Sequence, residues 1–216
     1  MNNVKSRLGR LALIIMVPVL LASCGINNIP TKEERAKAQW AEVQNQYQRR
    51  ADLIPNLVAT VKGYAAQESS VLIGVTQARA AANAVKADAS ILSDPAAFQR
   101  YQQAQNQLSV ALTPLRVLQE NYPDLKSNTN FLALQSQLEG TENRITIARR
   151  DYNESVRDYN LEFKTFPNSF WAGFHKASKP MVMFEANAGS QNAPTVDFAP
   201  AAPAVNMAPA AAPASK

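Results

Sequence analysis

Cysteine and histidine are almost missing, with one of each in 216 residues. A lone Cys excludes an intrachain disulfide framework, and no Cys/His cluster exists to hold a structural zinc. Glycine is scarce, 7 residues against 13 Pro, and no Gly-rich strand-to-helix turn occurs, which excludes a phosphate-binding loop. No segment alternates apolar and polar residues with period two, so strands are not expected. The formal charge of +5 is not a nucleic-acid signature. Lys5, Arg7 and Arg10 belong to a presequence, and without them 19 basic side chains face 17 acidic ones, an ordinary surface. Nucleic acid is therefore not an expected partner.

What is present begins with an export signal. Lys5, Arg7 and Arg10 form its positive region, and Leu11 to Ala22 form a 12-residue apolar run. A bilayer span needs about 20 apolar residues, so this run is too short to cross one. Leu21-Ala22-Ser23-Cys24 resembles a bacterial lipobox, with the chain's sole Cys where that motif requires it. Cys24 is the expected lipidation site and new N-terminus. Two or more acyl chains anchor a protein stably where one does not, each buried CH₂ contributing about 0.8 kcal/mol. Gly25 follows at +2, and in a cell with two membranes that sorting pattern resembles one directing lipoproteins to the outer membrane, facing the periplasm.

The expected organisation is a signal peptide over 1–23, a lipidated tether over 24–31, a helical domain over 32–185 and a disordered Ala/Pro-rich tail over 186–216. Three segments carry heptad seams of coiled-coil type. In the first, Trp40, Tyr47, Ile54, Val61, Glu68, Val75, Ala82 and Ala89 stand at a. Val43, Arg50, Leu57, Tyr64, Val71, Ala78, Val85 and Leu92 stand at d, and only Glu68 and Arg50 break the apolar pattern. The second segment opens with Asp94-Pro95, an N-cap followed by Pro at the first helical position, and runs from Tyr101 to Leu125. The third runs from about Ser127 to Phe166, where Pro167 stops it. The fold class predicted is all-α, a long antiparallel up-and-down bundle without sheet. Two arrangements stay open. Unbroken heptad phase favours three long helices; matching of helix lengths favours a fold-back between Gly63 and Gly74 and four helices.

Asp52-Leu53-Ile54-Pro55-Asn56-Leu57-Val58 is the most distinctive stretch. Pro55 removes the hydrogen bond to the Ala51 carbonyl and should kink the first helix. Asp52 or Asn56 would meet the freed backbone group, or the kink would be a recognition site. This stretch resembles the LemA family. The resemblance continues through Glu120-Asn121-Tyr122-Pro123-Asp124-Leu125, Leu138-Glu139-Gly140-Thr141-Glu142-Asn143-Arg144-Ile145, Ala148-Arg149, Tyr152-Asn153, Tyr159-Asn160 and Phe166-Pro167. It covers roughly residues 35 to 185. It implies a membrane-anchored helical bundle with no known enzymatic class and with links to envelope and membrane organisation. The lipobox departs from the uncleaved N-terminal transmembrane helix expected of the family.

The remaining candidates are weighed by position. Glu139, Glu142, Arg144, Arg149 and Arg150 flank the third seam and are expected to form inter-helix ion pairs; the carboxylate pair at three-residue spacing is the alternative metal or acid/base site, which three Arg and the lack of a nearby His or Cys oppose. Asn153 and Asn160 stand at b positions, facing solvent, a fourth element or a partner, and if buried they must be hydrogen-bonded. Phe166, Phe170, Trp171 and Phe174, followed by His175, would cap the bundle or touch lipid. Candidate interaction residues are thus Asp52, Pro55, Asn56, Asn153 and Asn160, with no catalytic residue, cofactor or metal. The function expected is a non-catalytic scaffold or interaction lipoprotein of the envelope. Its expected partners are the membrane, unidentified envelope proteins and a second copy of the chain. The alternatives are a groove along Ala78 to Ala89 that takes a peptide helix or acyl chain, and, last, an envelope hydrolase built on paired carboxylates.

Overall fold

The computed structural model describes residues 28–165 and 179–185. The export signal, Cys24, the aromatic cluster of 166–174, His175 and the tail over 186–216 lie outside the described residues. The chain divides into a unit that ends at Phe184 and a second that begins at Glu185; all that follows concerns the first.

Four long helices account for the described part. Helix α1 spans Asn28–Tyr64, α2 Ser69–Ala84, α3 Pro95–Asn121 and α5 Thr129–Glu162, with a short α4 at Pro123–Lys126 and a 3₁₀ turn at Ala89–Ser93. No strand occurs among the described residues. The all-α class is as expected, and the fold-back arrangement is the one adopted.

Each start has a local cause. The Asp94 carboxylate accepts the Ala96 and Ala97 N–H groups at 3.0 and 3.1 Å, and Pro95 needs no partner at the first helical position. The Asn128 side chain accepts from Phe131 N–H at 2.9 Å and opens α5. Helix α1 is described from Asn28, ahead of the expected residue 32, and Ile29 in its first turn is fully buried. The chain reverses at Ala65–Glu68, closed by Ala65 N–H to Val61 O at 2.8 Å and Glu68 N–H to Ala65 O at 3.1 Å. Neither Gly63 nor Gly74 makes the turn: both lie inside helices with open space around them.

The reversal sets a four-helix path in which α1 runs out, α2 back, α3 out and α5 back. Helices α1 and α5 pair along their lengths, and α2 packs against α3 and the outer half of α1. Helix α2 has only 16 residues against 37 in α1, so it covers half the bundle. The core accordingly has two parts. Around α2 it is aliphatic, built on Ile54, Leu57, Val61, Leu72, Val75, Leu108, Leu115 and Phe131. At the end where α1 starts it is aromatic, built on Trp40, Tyr47, Phe98, Tyr101, Tyr152 and Tyr159. There an extended strap, residues 179–184, lies where α2 does not reach, and its Met181 and Phe184 are buried in the aromatic core. Lys32 near the start of α1 pairs with Glu162 at the end of α5, which fixes both at one end of the bundle.

Candidate functional site

Pro55 sits inside α1 without ending it. The Ala51 carbonyl that it frees accepts from another helix: Arg79 Nε of α2 donates to Ala51 O at 2.7 Å. Asp52 and Asn56 do not serve this carbonyl. Asp52 is exposed and accepts from Gln48 Nε2 at 2.7 Å, and the Asn56 carbonyl takes the Thr60 hydroxyl at 2.9 Å. Pro55 and Asn56 face solvent. The Pro55 turn of α1 is therefore tied to the α1–α2 contact.

One turn before Pro55, Arg50 occupies its seam position fully buried, at 1% exposure. Its guanidinium donates to Glu142 Oε1 at 2.9 Å and Ser109 Oγ at 2.7 Å through Nη1, and to Gln105 Oε1 at 2.7 Å and Gln105 O at 3.2 Å through Nη2. It also lies 5.0 Å from the Tyr47 ring centroid. Arg50 Nε has no partner. One cation thus joins α1, α3 and α5 at mid-bundle. Glu142, expected at an inter-helix ion pair, makes one. Spacing gave no sign of Arg79, Gln105 or Ser109; Arg50 was visible only as a charge at a d position. Glu68, the other polar seam residue, accepts the Tyr122 hydroxyl at 3.0 Å and ties the reversal to the end of α3.

The second constellation is the Tyr-Asn dipeptide that α5 repeats after seven residues. Asn160 donates from Nδ2 to Met181 O at 2.8 Å and accepts Met181 N–H at 2.9 Å. Asn153 treats Phe184 the same way, at 2.9 and 2.8 Å. The preceding tyrosines add Tyr159 hydroxyl to Lys179 O at 3.0 Å and Tyr152 hydroxyl to Val182 O at 2.8 Å. Geometry explains the register. Seven helical residues rise about 10.5 Å, and three extended residues rise about 10 Å. Two side chains seven apart on α5 therefore meet backbone groups three apart on the strap. Asn153 and Asn160 are half-buried and hydrogen-bonded, and their partner here is the chain's own strap. Phe184 anchors it, with ring centroids 4.8 Å from Phe98, 5.6 Å from Tyr152 and 6.0 Å from Trp40, and Arg149 stacks on it at 4.4 Å. Burial holds the phenols of Tyr47, Tyr101 and Tyr152 above the usual tyrosine range.

A groove of about 430 Å³ opens beside the alanine-rich stretch, bordered by Ala82 and Val85. Gln44, Asn45, Gln48, Asn83 and Gln105 line it as well, and these carboxamides suit a polar ligand better than an acyl chain. Among the described residues no three His, Cys, Asp or Glu gather as a metal site, and no helix is long and apolar enough to cross a membrane.

Four antiparallel helices, with polar side chains spent on holding the helices in register and an extended segment pinned to the last helix, define an up-and-down helical bundle protein. The chain belongs to the LemA family, whose model matches residues 39–198. Two relatives from Paramagnetospirillum magneticum (strain ATCC 700264 / AMB-1), magnetosome proteins MamQ 1 and MamQ 2, are each 26% identical over 172 residues, covering 70% of this chain and 62% of theirs. The chain thus spans less than two thirds of the length of these relatives.

Proposed function

We propose that this protein is a lipid-anchored LemA-family member of the bacterial envelope, acting as a non-catalytic helical scaffold in membrane or envelope organisation. The observation that carries this is how the bundle uses its interior polar groups. Arg50, Glu142, Gln105 and Ser109 satisfy one another across three helices, and the Tyr-Asn pairs are spent on the strap. Such an interior specifies shape and register, and among the described residues its polar groups are spent on one another. The four-helix path supports the membrane reading, because the Lys32–Glu162 pair brings the end of α5 back to the end from which the tether departs. Relatives named for the magnetosome support a part in a larger assembly.

The anchor is tested at Cys24. Cys24→Ser should abolish incorporation of labelled palmitate and leave the protein released or as an uncleaved precursor. Label that survives the substitution contradicts the assignment. The scaffold role is tested by crosslinking in intact cells followed by recovery from membranes; stoichiometric envelope partners or self-association are expected, and a strictly solitary protein counts against it. A binding-module reading is favoured by one observation, the carboxamide-lined groove beside Ala82. Gln48→Leu with Asn83→Leu should then abolish capture of a polar ligand without lowering stability.

A further inference from the structure

The strap is held by a recognition mode that reads backbone. Both asparagines spend an acceptor and a donor on one strap residue each, and Val182 N–H donates to Leu92 O at 2.7 Å. This is the hydrogen bonding of an added β-strand, supplied by helix side chains. Side-chain selectivity comes from Met181 and Phe184, each buried in the aromatic end of the core, and from the partly buried Val182 packed against it.

The connection to the strap is long for the distance it serves. Lys179 O is held by Tyr159, three residues before α5 ends at Glu162, a rise of about 4.5 Å along the helix. The thirteen residues over 166–178 have a contour of about 44 Å. Two helix diameters come to roughly 20–24 Å, so the groove of an adjacent bundle lies within reach of the same connection.

We propose that the Tyr-Asn groove is an exchangeable strand-binding site, and that between neighbouring copies it takes the strap of the other copy in place of its own. An identical strap in an identical groove keeps every contact, so the exchanged and closed forms differ mainly in the entropy of association. The closed form competes at an effective concentration in the millimolar range, and exchange therefore grows with crowding. Membrane tethering would supply that crowding, and this clause alone rests on the anchor proposed above.

The test uses the native full chain in two isotopic forms, mixed in equal amounts at high concentration, unfolded and refolded together. A photo-crosslinker at Met183, which is 42% exposed, captures the strap on α5. Exchange predicts that about half of the strap–α5 crosslinks join light to heavy chains at full assortment, with the mixed fraction falling on dilution. Crosslinks that join only chains of like isotope at every concentration overturn the proposal. A second arm mixes a strap variant, Met181→Asp with Phe184→Asp, with a groove variant, Asn153→Ala with Asn160→Ala. A 1:1 heterodimer that neither variant forms alone supports exchange, and its absence when both variants retain helical signal contradicts it. Neither arm needs an acyl chain, so a failed anchor assignment leaves both readable.

Discussion

At the residue scale, Arg50 and Glu142 are unequal partners. Arg50 is 1% exposed and Glu142 keeps 35% of its side chain in solvent. Removing the carboxylate strands a buried cation; removing the cation leaves a carboxylate that water still reaches. Glu142→Ala should therefore cost about 3 kcal/mol, and Arg50→Met, which refills the volume, less than about 1.5 kcal/mol. Urea unfolding of both variants checks the order, and a larger loss for Arg50→Met would contradict it. The buried phenols set a pH limit. Tyr47, Tyr101 and Tyr152 are raised by burial, so the unfolded chain gives up phenolic protons near pH 10 that the folded chain keeps. Stability is then full below pH 10 and falls as pH rises above it, which thermal melts from pH 8 to 12 with tyrosinate absorbance should show. At this scale the first seam was largely legible: Trp40, Val43, Tyr47, Ile54, Leu57 and Val61 are buried at the positions it assigns them, and so is Arg50, although charged. Arg79 was not, because its role depends on a carbonyl 28 residues away on another helix.

At the scale of elements, the Pro55 turn of α1 and the α1–α2 contact form one device. Arg79 supplies to the Ala51 carbonyl the donor that Pro55 lacks. Arg79→Ala should cost roughly 1.5–3 kcal/mol, the range for a hydrogen bond from a charged group. Pro55→Ala restores a backbone donor, so it should be tolerated alone and should reduce the cost of Arg79→Ala. A double-mutant cycle measures this, and strict additivity would show the two sites to be independent. The reversal at 65–68 explains why helix number stayed open. The heptad phase resumes after it, with Val75 and Ala82 buried in register, so the pattern reads the same through a turn as through a helix. Tyr64, a d residue, is instead 45% exposed at the turn, and Ala65 takes the buried place. The strap carries no period at all, so nothing on its own residues announced that the b-position asparagines would hold it.

At the scale of the whole molecule, the path of the chain decides what the bundle presents to its surroundings. Helix α5 returns to the end where α1 begins, so the proposed tether and the last helix share one end. The reversal, the α3–α4–α5 turns and the Tyr64 hydroxyl that accepts Asn128 Nδ2 at 2.8 Å share the other. If the proposed anchor holds, the bundle would reach at most about 55 Å from the membrane, the rise of the 37 residues of α1. The central claim is an acylated anchor carrying a bundle without chemistry of its own, and intact mass spectrometry of the protein taken from its native membrane tests it most directly. A chain that starts at Cys24 and bears two or three acyl groups is the predicted result. A chain that retains residues 1–23, or one that carries no acyl mass, would contradict it.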